Sequence, residues 1–236
     1  MRLACIICIY DYQFISQLLP QIPLNVDVYL VDNGPGWQEV NNYKTTYLKM
    51  TKNLGWLRGT NVGLITAEAK DYDAYVLMND DVTLSRDFFD GIIAAFNKVP
   101  QAALLAPAYD DVYAHQKGSY LGPAADYQPF SWHQKVPFVD FTCCVIPRWT
   151  LNKIGLLDTA FQQYGWGADF HYALKVRESG GSIWVTYLSY LNHKHQGTAK
   201  QLYPDGYEGM AGNEMEQAMQ RLWGQNWRDK LYDYKA

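Results

Sequence analysis

No apolar run in this 236-residue chain approaches the roughly 20 residues a helix needs to cross a bilayer, which excludes a helical membrane span. Met1-Arg2 leads straight into a strand-like segment rather than into the charged and apolar regions of a signal peptide, so a cytoplasmic protein is expected. Cysteine is scarce. Of the four, Cys5 and Cys8 lie three apart in one strand-like run and would face opposite ways, which excludes a metal or redox Cys-x-x-Cys pair. Cys143 and Cys144 are neighbours in another such run, and all four are expected to be buried, reduced thiols. A basic excess is also missing: 20 Lys and Arg against 24 Asp and Glu give a net charge of -4, which argues against nucleic acid as a partner. Nor does a Gly-x-Gly-x-x-Gly follow the first strand-like run, so neither a Rossmann dinucleotide site nor a Rossmann methyltransferase is indicated.

What is abundant is aromatic: 19 Tyr and 8 Trp bring the ring-bearing share to 15%, and such rings stack on sugars as readily as they fill cores. Strand-like and helix-like runs alternate along the first half. Leu3 to Tyr10 is nearly continuous in apolar residues, as a strand covered on both faces would be. A short helix over Gln13 to Leu19, a strand over Asp27 to Val31 and a short strand over Tyr47 to Met50 follow. Asn53-Leu54-Gly55-Trp56-Leu57-Arg58-Gly59-Thr60-Asn61-Val62-Gly63 reads as a glycine-rich loop feeding a helix that ends near Ala69. Tyr75 to Met78 is a buried strand, Phe88 to Val99 has helical periodicity and Ala102 to Ala108 is a further strand. Tyr109 to Lys135 loses periodicity, and a loop this long is expected to shape a substrate site. Val136 to Pro147 and Ser182 to Leu188 return to strand, with helices over Arg148 to Gly155 and beyond Gly167. From Met215 to Leu231 one amphipathic helix is expected to dock on the domain; its Trp residues and basic neighbours also leave peripheral membrane contact open.

The organising stretch is Tyr75-Val76-Leu77-Met78-Asn79-Asp80-Asp81-Val82, a buried strand that runs into an amide and two carboxylates. At the carboxyl edge of a parallel sheet, two such acids can hold a hard divalent cation against a phosphate. The same residues also suit a turn, with Val82 to Phe88 opening a helix. Asp169 stands near a helix N-terminus, where it favours the macrodipole or serves as a base. His193 and His195 share a side if their strand persists, and are either one metal ligand or a solvated pair.

In order and spacing, Asp32-Asn33, Asn53-Leu54-Gly55 with Asn61-Val62-Gly63, Asn79-Asp80-Asp81-Val82, and Gly165-Trp166-Gly167-Ala168-Asp169 followed by Arg177 resemble the inverting family 2 glycosyltransferases, particularly their rhamnosyltransferase-like branch. His193 to Thr198 is similar to that family's late His-plus-Gly-Ser/Thr element, so the resemblance covers roughly Leu3 to Thr198. It implies an α/β GT-A fold, a single mixed, mostly parallel central sheet flanked by helices. Residues 1–108 would form the nucleotide-binding half, 109–205 the acceptor-binding half and 206–236 a helical C-terminal segment. It also implies Mn2+ or Mg2+ as cofactor, a nucleotide-sugar donor with uridine or thymidine favoured, and a glycan or glycoconjugate acceptor. Carried over by residue, Asp81 with His193 or His195 would ligate the metal and Asp169 would be the base. Tyr10, Asp11, Asp32, Asn53, Gly55, Arg58, Asn61, Asn79 and Asp80 would bind the donor, and Trp166 and Gly167 the acceptor. The chain departs from the family where Asn79 replaces the common leading Asp, Ala168 the Glu before the base, and Asp11 the Asn after Tyr10. A nucleotidyltransferase making the activated sugar and a non-catalytic carbohydrate-binding module are the alternatives. The chain lacks the basic, glycine-rich loop after Tyr10 that the first would need, and the second would have no need of Asp32, Asp80, Asp81 and Asp169.

Overall fold

The computed structural model describes residues 1–37, 45–110, 116, 118–161, 164–195, 202 and 205–234. The first interior strand is β1 (Leu3–Ile9), whose side chains alternate between two cores as strand geometry requires. Ala4 and Ile6 enter one, Leu3, Cys5, Ile7 and Ile9 the other. Burying such a side chain contributes about 1.5–3 kcal/mol, so a charge at Ile6 or Ile7 would break the sheet between β2 and β4. β2 (Asp27–Asp32) and β4 (Ala74–Met78) flank β1 in parallel, and β3 (Thr45–Lys49) extends β2 in parallel.

Beyond β4 the sheet becomes mixed. β8 (Cys143–Pro147) is antiparallel to both β4 and β6 (Ala102–Tyr109), and β9 (Ser182–His193) is parallel to β6. β5 (Val82–Leu84) and β7 (His133–Lys135) each pair antiparallel with β9. The order is β3-β2-β1-β4-β8-β6-β9-β5, with β7 on β9; β1 to β4, β6 and β9 run one way and β5, β7 and β8 oppose them. This is the mixed, mostly parallel sheet expected.

Helices cover both faces. α1 (Ile15–Leu18) and α3 (Phe88–Lys98) pack on one, with Ile15, Leu18, Phe89 and Ile92 buried. On the other lie α2 (Gly55–Glu68), α4 (Arg148–Ile154), α5 (Ala168–Glu178), α6 (Tyr207–Trp223) and α7 (Trp227–Tyr232). Gly224 at φ 85 ends α6, so the C-terminal amphipathic stretch is two helices rather than one. Ala218, Met219, Trp227 and Leu231 turn its apolar face onto the domain. Among the described residues no helix is long and apolar enough to cross a membrane.

Local sequence misled at five further places. Val82-Thr83-Leu84 opens no helix, because its buried-exposed-buried alternation pairs with β9. The helix after Asn53 starts at Gly55, so most of the glycine-rich segment is α2 itself. Strand is absent from residues 136–142 and begins only at Cys143, whereas β9 runs five residues past Leu188, to His193. Cys8 is half-buried, not buried, although all four thiols are free as expected.

Candidate active site

Parallel strands end on one edge, so the turns after β1, β2 and β4 meet there. Gly34 lets them close up: a Cβ at that position would lie 1.8 Å from the Tyr10 carbonyl oxygen. A cavity of about 690 Å³ opens on this edge. That is within the usual size of a small-molecule site. Tyr10, Asn33, Asn53, Gly55 and Trp56 line one side, and Asn79, Asp80 and Asp81 stand at the end of β4. Asn33 ties two of these turns together, accepting from Leu54 N–H at 3.2 Å and donating to the Gly55 carbonyl at 3.2 Å.

The pairing of β5 with β9 assembles the acidic part. Its register sets Val82 opposite His193, which places the imidazole beside the preceding residue, Asp81. His193 Nε2 lies 3.1 Å from Asp81 Oδ1, and Lys194 N–H donates to the Asp81 carbonyl at 3.0 Å. The His193 and His195 rings are 4.5 Å apart, although only His193 belongs to the strand and His195 has left it at φ 63. Asp80 is buried with Oδ2 unpartnered by any described residue. Burial, then the charges of Asp81 and Asp11, push its carboxyl well above the ordinary range.

From the other side, the loop before α5 delivers Asp169. Gly167, at φ 84, turns the chain into the helix, and Ala168 and Asp169 are its first two residues. Phe170 N–H donates to Asp169 Oδ1 at 2.9 Å. Burial and, after it, the neighbouring Asp140 carboxylate push Asp169 up to about 8. Asp140 lines the same cavity, as do Tyr164, Trp166, Gly167, Tyr207 and Glu208.

Four expected site residues lie elsewhere. Asp32 is fully buried below the cavity wall, where it accepts from Gly34 N–H at 2.7 Å and from the hydroxyls of Tyr12 and Tyr47. Asn61 faces the body of the protein and exchanges hydrogen bonds with the Leu157 backbone at 2.8 and 3.1 Å. Arg58 is exposed on α2, and Asp11 accepts from Gln13 N–H beside the cavity without lining it. No described residue of the loop from 109 to 135 lines the cavity either, and Gln196, Gly197 and Thr198 of the late motif fall outside the described residues. Sequence reasoning passed over Cys8, Trp56, Thr142, Tyr207, Glu208 and Met215, all of which line the cavity. Burial pushes the Cys8 thiol up to about 12, so it is a neutral wall and not a nucleophile.

The residues present fit a divalent cation as a partial shell. Two cis ligands of an octahedral ion at about 2.1 Å stand about 3 Å apart, as Asp81 and His193 do. No group of three or more His, Cys, Asp or Glu side chains able to hold a metal is gathered among the described residues, so the remaining ligands would have to be substrate oxygens and water.

No family model matches the chain. It is similar to two uncharacterized proteins, Rv1525 of Mycobacterium tuberculosis and Mb1552 of Mycobacterium bovis. Each is 29% identical over 175 residues, 73% of this chain and 66% of the relative, so the match spans just under two thirds of those proteins. Solved structures share the fold. GalNAc-T7 with UDP, GalNAc and Mn2+ aligns at a TM-score of 0.63 and 15% identity over 81% of this chain and 43% of its own. TarS 1-349 of S. aureus with UDP-GlcNAc gives 0.60 and 14% over 98% and 70%. The mannosyltransferase PcManGT of Pyrobaculum calidifontis with GDP-Man and Mn2+ gives 0.59 and 16% over 98% and 73%. The chain therefore has the GT-A fold of nucleotide-sugar transferases.

Proposed function

We propose that this protein is a metal-dependent inverting glycosyltransferase of the family 2 kind, closest in motif order to the rhamnosyltransferase-like branch. It would move a hexose from a nucleoside-diphosphate sugar to a hydroxyl of a glycan or glycoconjugate. The observation that carries the proposal is electrostatic. The cavity is lined by Asp80, Asp81, Asp140, Asp169 and Glu208, and among the described residues no Lys or Arg lines it. An acidic pocket would repel a diphosphate. With a divalent cation on Asp81 and His193 the same pocket would become a diphosphate site, and the ion's charge would favour the ionised form of the buried Asp80 carboxyl beside it, whose Oδ2 has no partner among the described residues. Complexes of the fold neighbours with UDP, UDP-GlcNAc and GDP-Man, two of them with Mn2+, support a nucleotide sugar and a cation here.

In this arrangement residues 1–108 hold the nucleotide, residues 109–205 bring the base to the acceptor, and the 206–236 segment closes the far wall. Tyr10, Asn33, Asn53 and Gly55 face the nucleotide, for which a uridine or thymidine base is favoured. Asp32 acts from beneath by fixing Tyr12, Tyr47 and the turn at Gly34. Bound Mn2+ or Mg2+ would offset the charge that develops on the leaving diphosphate. Trp166 and Gly167 receive the acceptor, whose hydroxyl proton passes to Asp169 as its oxygen bonds the anomeric carbon. The bond from that carbon to the diphosphate oxygen breaks, its electron pair leaves with the nucleoside diphosphate, and attack from the opposite face inverts the configuration.

Incubation with UDP-, dTDP- and GDP-sugars and Mn2+, read as nucleoside diphosphate released, tests the assignment. Metal-dependent release from at least one donor is expected. Pyrophosphate release instead would identify a nucleotidyltransferase, and sugar binding without turnover would identify a carbohydrate-binding module.

A further inference from the structure

The helix that carries Asp169 has a buried polar side chain turned away from the cavity. His171 of α5 is 6% exposed and is not among the lining residues. Its Nδ1 accepts a hydrogen bond at 2.8 Å from Nε1–H of Trp223, the last residue of α6. An indole nitrogen can only donate, so Nδ1 must keep its lone pair and the ring's one proton sits on Nε2. That nitrogen faces Asp158, whose Oδ2 is 3.4 Å away. The first half of α6 meets the loop that brings Asp169 in. Glu214 Oε1 accepts from Tyr164 N–H at 3.1 Å, and the Tyr207 ring stands roughly perpendicular to those of Tyr164 and Trp166, with centroids 5.6 and 5.8 Å apart. Tyr207, Glu208 and Met215 of this helix line the cavity.

We propose that His171 is a positioning residue that works only as a neutral imidazole: its bond to Trp223 latches α6 to the helix bearing Asp169 and keeps Tyr207 and Glu208 in the cavity wall. Protonation would put an N–H on Nδ1 against the indole N–H, two donors with no acceptor between them at a buried site. The latch would open. Little else holds α6 down, since only Ala211, Ala218 and Met219 of its residues are buried. Gly209 and Gly212 weaken it further relative to alanine, and a Cβ at either position would meet nothing within 4 Å, so packing does not require them. The next helix is fastened separately, because Arg177 donates to the carbonyls of Lys230, Leu231 and Asp233. Opening the latch should therefore loosen α6 without undocking the whole C-terminal segment.

The surroundings of the ring favour the neutral form. Burial holds His171 below the ordinary histidine range; Asp158 works against that and Lys175 adds to it. Asp158 stands just before the turn Thr159–Phe161, which itself brings the Phe161 ring to 5.8 Å from the imidazole. Lys175 lies one turn along α5 and donates to the Ile154 carbonyl at 2.9 Å, while Asp169, two residues back on the same helix, lines the cavity that His171 does not reach. On α6 the facing group is Trp223, and from α7 the Lys230 ammonium donates to the Trp223 carbonyl at 2.9 Å and lies 5.9 Å from its ring.

That the α6 wall receives the acceptor rests on the proposed transferase, but the latch is testable without turnover. In the whole chain labelled with 15N, ring correlations at about pH 7.5 should show the His171 proton on Nε2, and on acidification the Trp223 indole N–H should shift with the His171 midpoint. His171→Asn and Trp223→Phe assign the signals. Deuterium exchange of the α6 amides reports the hold. Near pH 7.5, His171→Leu should exchange about fivefold or more faster than the wild type, as expected for one buried N–H left without an acceptor. His171→Asn, whose amide oxygen can take the place of Nδ1, should match the wild type. Below the midpoint the wild type should exchange like His171→Leu at the same pH, and His171→Asn should stay protected. A proton on Nδ1 near neutral pH, or α6 exchange in His171→Leu equal to the wild type, would overturn the latch, and the ring spectrum decides even if a variant does not fold. With a donor and an acceptor in hand, His171→Leu should raise the acceptor KM about fivefold or more at unchanged donor KM. An equal rise in both would remove His171 from positioning the acceptor wall. A latch found in a chain that releases no nucleoside diphosphate would keep this inference and refute the transferase.

Discussion

Replacing Asp169 by Asn separates its two candidate roles by the sign of the stability change. Asp169 rises from 3.8 to about 8 on folding, a shift of about 4 units, and each unit is worth about 1.4 kcal/mol. The side chain is half-buried and opens on the cavity, so discounting by half for solvent leaves on the order of 3 kcal/mol. Between the two values the folded state binds more protons than the unfolded chain. The stability linked to Asp169 is therefore fully present below about pH 4 and lost as pH rises through about 8. Asn cannot ionise and loses nothing. Near pH 9 the variant should melt roughly 5–10 °C above the wild type, and near pH 4 the two should melt together. A carboxylate that only favoured the macrodipole would give the opposite sign, because its loss costs about 0.3–1 kcal/mol. Transfer should fall about 10²–10⁴-fold while donor affinity is kept. Melting curves at both pH values and a transfer rate on one preparation decide the matter. A melting difference that does not change with pH, or a transfer loss of less than about tenfold, refutes the reasoning.

Asp81→Ala should abolish the Mn2+-dependent rise in melting temperature given by a nucleotide sugar while leaving the metal-free melt near that of the wild type; a full rise in the variant removes Asp81 from the metal site. Asp32→Ala leaves the Tyr12 and Tyr47 hydroxyls and Gly34 N–H without their acceptor, so it should destabilise the fold by roughly 2–4 kcal/mol in chemical denaturation. Any weakening of nucleotide binding should follow from that loosening, and a variant as stable as the wild type would contradict it. Asn61→Ala removes both bonds to the Leu157 backbone and should cost about 1–3 kcal/mol with donor affinity unchanged at a temperature where both proteins are folded.

What could be read in the sequence and what could not divide along the range of the interactions. Leu3 to Ile9, Ala74 to Met78 and Ala102 to Tyr109 declare themselves as strands because nearly every residue in them is apolar, and parallel order then brings their ends to one edge. Tyr10 and Asn79 to Asp81 reach the cavity for that reason, whereas Asn53 and Asp169 are brought to it by the loops before α2 and α5. Asp32 and Asn61 fit the same motifs by letter, yet a buried carboxylate collecting tyrosine hydroxyls and a helix amide bonded 96 residues along the chain are settled only by tertiary packing. Tyr207, Glu208 and Met215 were hidden for a related cause: an amphipathic helix announces its apolar stripe, but not which end will overhang a cavity.

The pairing of Asp81 with His193 shows the limit most sharply. The two residues are 112 positions apart, and their contact depends on β9 running five residues past Leu188 and on three residues of β5 meeting its end in one register. A slip of one residue would turn the imidazole to the opposite face of the sheet and leave Asp81 without it. The ladder that a helix-like reading of Val82 to Leu84 overlooked is therefore the element on which the proposed cation site depends. Thr83→Pro would test that dependence, since proline removes an N–H and resists the strand. If the ladder sets the site, the variant should lose the Mn2+-dependent melting shift with Asp81 and His193 both intact in sequence; a retained shift would mean that the two ligands are brought together by something other than β5.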